Sequence, residues 1–135
     1  MKKVKIAFYG LPDCYKGYIR AVRRTRQFTV EVFQDLPEGA SLSGPNGPLS
    51  QISKFNPHIL VIRHPGDAKG LRLARLFNRH NHFLLVVLSV FAEDQHTVAT
   101  LKKAGVREWQ IFTTAITDKS FAERMVDFKK KHIIK

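Results

Sequence analysis

Short apolar runs alternate along the chain with longer stretches in which apolar residues recur every third or fourth position. The first rhythm marks strands and the second helices. Lys5 to Tyr9 (KIAFY) reads as a first strand, and Tyr15, Ile19 and Val22 carry a first helix to about Arg26. Phe28 to Phe33 (FTVEVF) alternates apolar and polar positions, the pattern of a strand with one wetter face near a sheet edge. Residues 37 to 48 are rich in Pro and Gly and read as loop. Leu49 to Phe55 can make a short helix, which Asn56-Pro57 stops. Ile59 to Ile62 is continuously apolar, as expected of a strand covered on both faces. Lys69 to His80 is expected to be a third helix, with Leu73, Ala74 and Phe77 on its inner side. Phe83 to Ser89 is the most apolar strand and is expected at the centre of the sheet. Asp94 to Ala104 reads as a fourth helix through Thr97, Val98 and Leu101, with Gly105 just past its end. Arg107 to Phe112 reads as the last strand, and Phe121, Met125 and Phe128 mark a fifth helix with Asp118 as its N-cap.

Strict alternation of strand and helix implies a parallel sheet with helices on both faces. The expected fold is therefore an α/β doubly wound sandwich with a five-stranded parallel sheet and five helices. At 135 residues the chain is expected to be one domain over 1–135. In such sheets ligands bind in the crevice at the carboxyl ends of the strands. That directs attention to Gly10 to Cys14, Arg63 to Asp67, Ser89 to Asp94 and Phe112 to Ala115.

Three stretches carry a resemblance to a known family. PHILVIRHPGDAKGLRLARLF, LLVVLSVFAEDQHTVATLKKAG and GVREW resemble the third strand and helix, the fourth strand and helix, and the lead-in to the fifth strand of the receiver domain of bacterial response regulators. The first half matches by strand and helix order alone. The resemblance implies a flavodoxin/receiver-like fold and a place in two-component signal transduction. It also implies chemistry that a working receiver needs: a phosphoacceptor Asp ending strand three, two acids after strand one to hold Mg²⁺, and a Lys ending strand five. Here the acceptor position reads Arg63, the acidic pair reads Gly10 and Leu11 with Asp13 the nearest acid, and the lysine reads Phe112 or Thr113. The switch-like positions, a Ser or Thr ending strand four and an aromatic in strand five, read Ser89 and Trp109. The chain thus resembles a degenerate receiver that keeps the frame and part of the readout without the chemistry. Arg63, at the mouth of the crevice, carries a rigid fork of donors suited to an anion or to a pair with Asp13 or Asp67.

Other chemistry is thinly represented. Cys14 to Arg20 (CYKGYIR) has the Cys-x5-Arg spacing of tyrosine phosphatases, but bulky residues stand where inward-pointing amides are needed. Cys14 is therefore expected to be structural. His80 and His82 flank Asn81 without acid or cysteine partners, so no metal site is expected. No Walker loop or dinucleotide fingerprint follows any strand, and no cofactor is expected. A single cysteine excludes an intramolecular disulfide. The apolar stretch Ile6 to Tyr9 is too short for a signal peptide, and no run reaches membrane-spanning length, so a cytoplasmic location without membrane contact is expected.

Charge is the strongest compositional deviation. The formal net charge is +12 and the pI about 10.2, which favours anionic partners. Basic residues crowd the first helix (Arg20, Arg23, Arg24, Arg26) and the tail (Lys129, Lys130, Lys131). These are expected to form one anion or nucleic-acid patch if the first and fifth helices share a sheet face. Two functions of different class follow. One is a non-enzymatic, non-phosphorylatable regulatory module acting by protein–protein contact in signal transduction or transcriptional control. Its face would be helix four, strand five and helix five, with Lys102, Lys103, Arg107 and Trp109 as the interface and a homodimer as one form. The other is a small basic nucleic-acid-binding regulatory protein.

Overall fold

The computed structural model describes residues 3–34, 48–64, 84–89, 94–103 and 105–133. Along the chain these form β1 (Val4–Tyr9), α1 (Lys16–Arg24), β2 (Phe28–Phe33), α2 (Pro48–Phe55), β3 (Ile59–His64), β4 (Leu84–Ser89), α3 (Gln95–Lys103), β5 (Ile111–Thr113) and α4 (Asp118–Phe128). Short 3₁₀ turns at Asp13–Tyr15 and Glu108–Gln110 precede α1 and β5, and a π turn, Lys129–Ile133, extends α4. The expected helix over 69–80 lies outside the described residues, among which four α-helices stand rather than five. The helix α3 is the fourth and α4 the fifth of those expected from sequence.

All five strands are parallel, in the order β2-β1-β3-β4-β5. The order reverses between β1 and β3, which is where such sheets open a crevice at their carboxyl ends. Alternation along the strands sends one set of side chains to each face. On one face Ile6, Phe8, Val61 and Leu88 pack against Tyr18 and Val22 of α1 and Phe121 and Met125 of α4. On the other, Ala7, Leu60, Ile62 and Val87 pack against Ile52 of α2 and Leu101 of α3. The first and last helices therefore do share a face. β2 is an edge strand, and its mixed burial explains the alternating FTVEVF.

Four expectations need correction. The most apolar strand, β4, is interior but not central; β3 holds the centre, covered on both faces. The first helix ends at Arg24, because Arg26 adopts a left-handed φ of 58° that no helix continues. The last helix is capped by Thr117 and not by Asp118: the Thr117 hydroxyl accepts the Ser120 N–H at 3.1 Å. The last strand begins at Ile111, and Trp109 lies in the turn before it. The cause is Gln110, which is buried. Its amide oxygen accepts the Arg107 N–H at 2.7 Å and its amide nitrogen donates to the Leu85 carbonyl at 2.8 Å. A side chain thus takes the place of strand pairing at this point.

Candidate functional site at the carboxyl ends of the strands

The crevice is built from the ends of β1, β3, β4 and β5. Gly10 leaves β1 with φ 66°, a conformation glycine adopts without strain, and donates its N–H to the Phe33 carbonyl at 3.0 Å. The chain then turns through Leu11, which packs on the core, and Pro12, whose carbonyl accepts the Tyr15 N–H at 3.0 Å. This turn drives Tyr15 inward. Its ring stacks on Tyr18 with centroids 5.8 Å apart, and it retains only 9% exposure. The Tyr18 hydroxyl lies 2.8 Å from the carbonyls of both Thr114 and Ile116, joining α1 to the loop after β5. Burial raises the Tyr15 hydroxyl above the ordinary tyrosine range; nearby Cys14 pushes the same way and Arg63 opposes it. Tyr18 is raised as well, by burial first and then by the Asp118 carboxylate. Both phenols are therefore neutral hydrogen-bonding and packing groups at physiological pH.

Asp13 does not face this space. Its side chain is 92% exposed and pairs with Lys16 at 3.6 Å on the surface. Arg63 is half-buried, and its Nε is buried without a hydrogen-bond partner among the described residues. The expected pair with Asp13 is not formed, and Asp67 lies outside the described residues. Register adds one point that sequence reasoning missed. Arg63 is level with Leu88, whereas His64, one residue on, is level with Ser89, which in turn is level with Thr113. Whichever of the two is matched to a receiver's acceptor, the residue is basic and not a carboxylate. Phe112 is buried in the core and Thr113 is exposed; neither carries the ammonium that the lysine position requires. Ser89 is fully buried at the end of β4.

A divalent cation of the receiver kind does not fit this donor set. Among the described residues no group of three His, Cys, Asp or Glu could hold a metal ion. The one acid in the turn after β1 points outward, and an arginine stands in the crevice.

The remaining expected sites separate. Ser89 and Trp109 are not brought together: Ser89 ends β4, and Trp109 precedes the start of β5, at the other end of the sheet. Trp109, 38% exposed, stacks on His132 at 4.7 Å and meets Phe128 edge-on at 5.6 Å. Cys14 is exposed and so is not a packing residue. Residues Lys16 to Arg20 are helical, so their amides do not form a phosphate-binding loop around that thiol. Arg20 and Arg24 line a groove of about 910 Å³ between α1 and α4, facing Asp118, Glu123 and Asp127. Arg23 and Arg26, which do not line that groove, lie toward the start of β2. There Lys129 donates to the Gln27 amide oxygen at 3.3 Å, which ties the turn after α4 to the lead-in of β2.

No protein-family model matches the chain, and no curated protein matches it. Solved structures do. The signal receiver domain of a response regulator, NarL, from Mycobacterium tuberculosis is similar at a TM-score of 0.75 and 14% identity, covering 97% of this chain and 99% of that one. A response regulator from Thermotoga maritima gives 0.69 and 11%, covering 96% and 99%. The isolated receiver domain of RcsB from Salmonella enterica serovar Typhimurium gives 0.66 and 16%, covering 96% and 91%. The chain therefore has the receiver fold over nearly its whole length.

Proposed function

We propose that this chain is a regulatory module of receiver fold that takes up no phosphoryl group, catalyses no reaction, and works in the cytoplasm through constitutive protein–protein contact. One observation carries the reading. Where phosphoryl transfer needs a nucleophilic carboxylate, a metal and a neutralising ammonium, the crevice presents Arg63, a neutral Tyr15 and the core residue Phe112. The test is incubation with acetyl phosphate and Mg²⁺ followed by intact-mass measurement. The expected result is an unchanged mass, and a labile gain of one phosphoryl group would overturn the proposal.

The surface that fits such a role is the face of α3, β5 and α4. It carries Trp109 beside a hollow of about 550 Å³ lined by Ile111, Phe112, Ile116 and Arg124. An exposed tryptophan with an arginine at hand is the composition of an interface anchor. Homodimerisation through this face is the simplest arrangement, and a distinct protein partner is the other. Trp109→Ala is expected to weaken either association by about 2 kcal/mol or more, read by sedimentation for the dimer and by pull-down and titration for the partner. Wild-type association in a folded Trp109→Ala variant would move the site elsewhere.

A further inference from the structure

We infer that the end of the domain opposite the crevice, where strands begin and helices finish, is a nucleic-acid-binding surface that grips the phosphate backbone. This surface adjoins the lateral face proposed for protein contact, with Trp109 at the edge the two share. It is assembled by topology. In a parallel sheet every helix runs back against the strands, so all helix carboxyl ends reach one end of the molecule. Here α1 finishes in Arg23 and Arg24, α2 in Lys54, and α3 in Lys102 and Lys103. α4 continues into a turn bearing Lys130, Lys131 and His132.

Interactions between elements bring these ends together. Lys129 lies 6.0 Å over the ring of Phe28, the first residue of β2. Lys5, near the start of β1, donates to the Phe55 carbonyl that ends α2, at 3.1 Å. The Val106 N–H donates to the Leu101 carbonyl at the end of α3, at 3.0 Å. Trp109, in the turn leading into β5, stacks on His132. Two basic stretches far apart in sequence, 23–26 with 129–131 and 102–107, thereby become one surface spanning both faces of the sheet.

Compensation of helix dipoles does not account for it. A helix carboxyl end carries about half a negative charge, whereas α1 and α3 each present two adjacent cations and the turn after α4 more. Nor are these cations paired with a carboxylate among the described residues. Among the described residues the ion pair is Lys16–Asp13, at the crevice end. Glu108 and Asp127 are the described acids toward the basic end, and neither forms an ion pair with a described cation.

The chemistry of the surface selects among anionic partners. Trp109, at its edge, is the large hydrophobic residue exposed among the described residues, and its ring is stacked on His132. A membrane surface needs an apolar face to insert. Protein interfaces are depleted in lysine and rely on buried apolar anchors. Lysines and arginines spread over four separate helix ends suit a regular array of phosphates, which fix position without reading sequence.

The test is fluorescence anisotropy with a labelled duplex of mixed sequence across a salt series. Two charge reversals on opposite faces of the sheet are used, Arg23→Glu with Arg24→Glu and Lys102→Glu with Lys103→Glu, so that a folding failure in one leaves the other. Lys16→Glu with Lys119→Glu makes the same charge change at the crevice end. At about 50 mM salt each reversal at the basic end is expected to weaken binding about tenfold, and to flatten the log–log salt slope by about 0.9 for each phosphate that is no longer neutralised. The crevice-end control is expected to stay within about threefold of wild type. Three results would each overturn the inference: no binding at about 50 mM salt, equal weakening by the control, or displacement of the duplex by anionic vesicles or polyglutamate at the same charge concentration.

Discussion

The two ends of this sheet are built on opposite principles. At the carboxyl end of the strands, potentially reactive side chains have been drawn into packing. Tyr15 is stacked and buried, Tyr18 is tied to two carbonyls, and Arg63 keeps a buried Nε. At the amino end, cations stand free of carboxylates on every described helix terminus. In doubly wound folds the carboxyl end is where ligands are expected. Here, among the described residues, cations without carboxylate partners gather at the other end. A scaffold can therefore keep its architecture while its exposed charge gathers at the opposite pole.

The largest effect that would sharpen this contrast is on stability. Tyr15→Ala removes a buried aromatic from the crevice and is expected to cost about 3 kcal/mol in urea denaturation. Lys102→Glu with Lys103→Glu is expected to stay within about 0.5 kcal/mol per substitution, as exposed surface changes usually do. Equal costs would erase the distinction between a packed end and a free end. Gln110→Ala probes the exception, a structural residue at the basic end. It strips the Leu85 carbonyl and the Arg107 N–H of their partner, and about 2 kcal/mol is expected. Tyr18→Phe deletes only the hydroxyl that binds Thr114 and Ile116, and about 1 kcal/mol is expected, with the drop in proteolytic protection confined to the loop after β5.

The smallest effect is a pH dependence at the basic end. The Lys5 N–H donates to His58 Nδ1 at 3.0 Å, which requires a neutral ring. Burial, and then the Lys5 charge, holds the His58 pKa below its ordinary 6.5. The unfolded chain therefore binds the proton more readily. The contribution is fully present above 6.5 and declines as pH falls from there toward the lower folded value. Because His58 is only partly covered the decline is slight. His58→Asn is expected to flatten it in thermal melts between about pH 7 and 5.

The succession of strands and both core faces were legible because hydrophobic periodicity reports burial directly. FTVEVF marked an edge and ILVI a doubly covered strand, and both hold. The fifth strand starts later than its sequence suggests, because REWQIF has the alternation of a strand. Nothing in that pattern says that the Gln110 amide will reach back to Arg107 and across to Leu85. At the crevice, the missing acids were legible from residue identity. The inward turn of Tyr15 was not, since it depends on the Pro12 carbonyl and the ring of Tyr18. The basic end was legible only in pieces. Lys102 and Arg23 are far apart in sequence, and the winding of the chain is what puts them at one pole.

The stack of Trp109 on His132 supplies a built-in optical probe. The chain carries one tryptophan, and its ring rests against the imidazole of the same turn that bears Lys129, Lys130 and Lys131. Anything that seizes those lysines must pull on that imidazole, so capture of a polyanion should change the emission of a single indole, with no dye attached. The readout is also local. A partner that docks at the crevice end, beside Asp13 and Lys16, touches none of these groups and would leave the spectrum as it was.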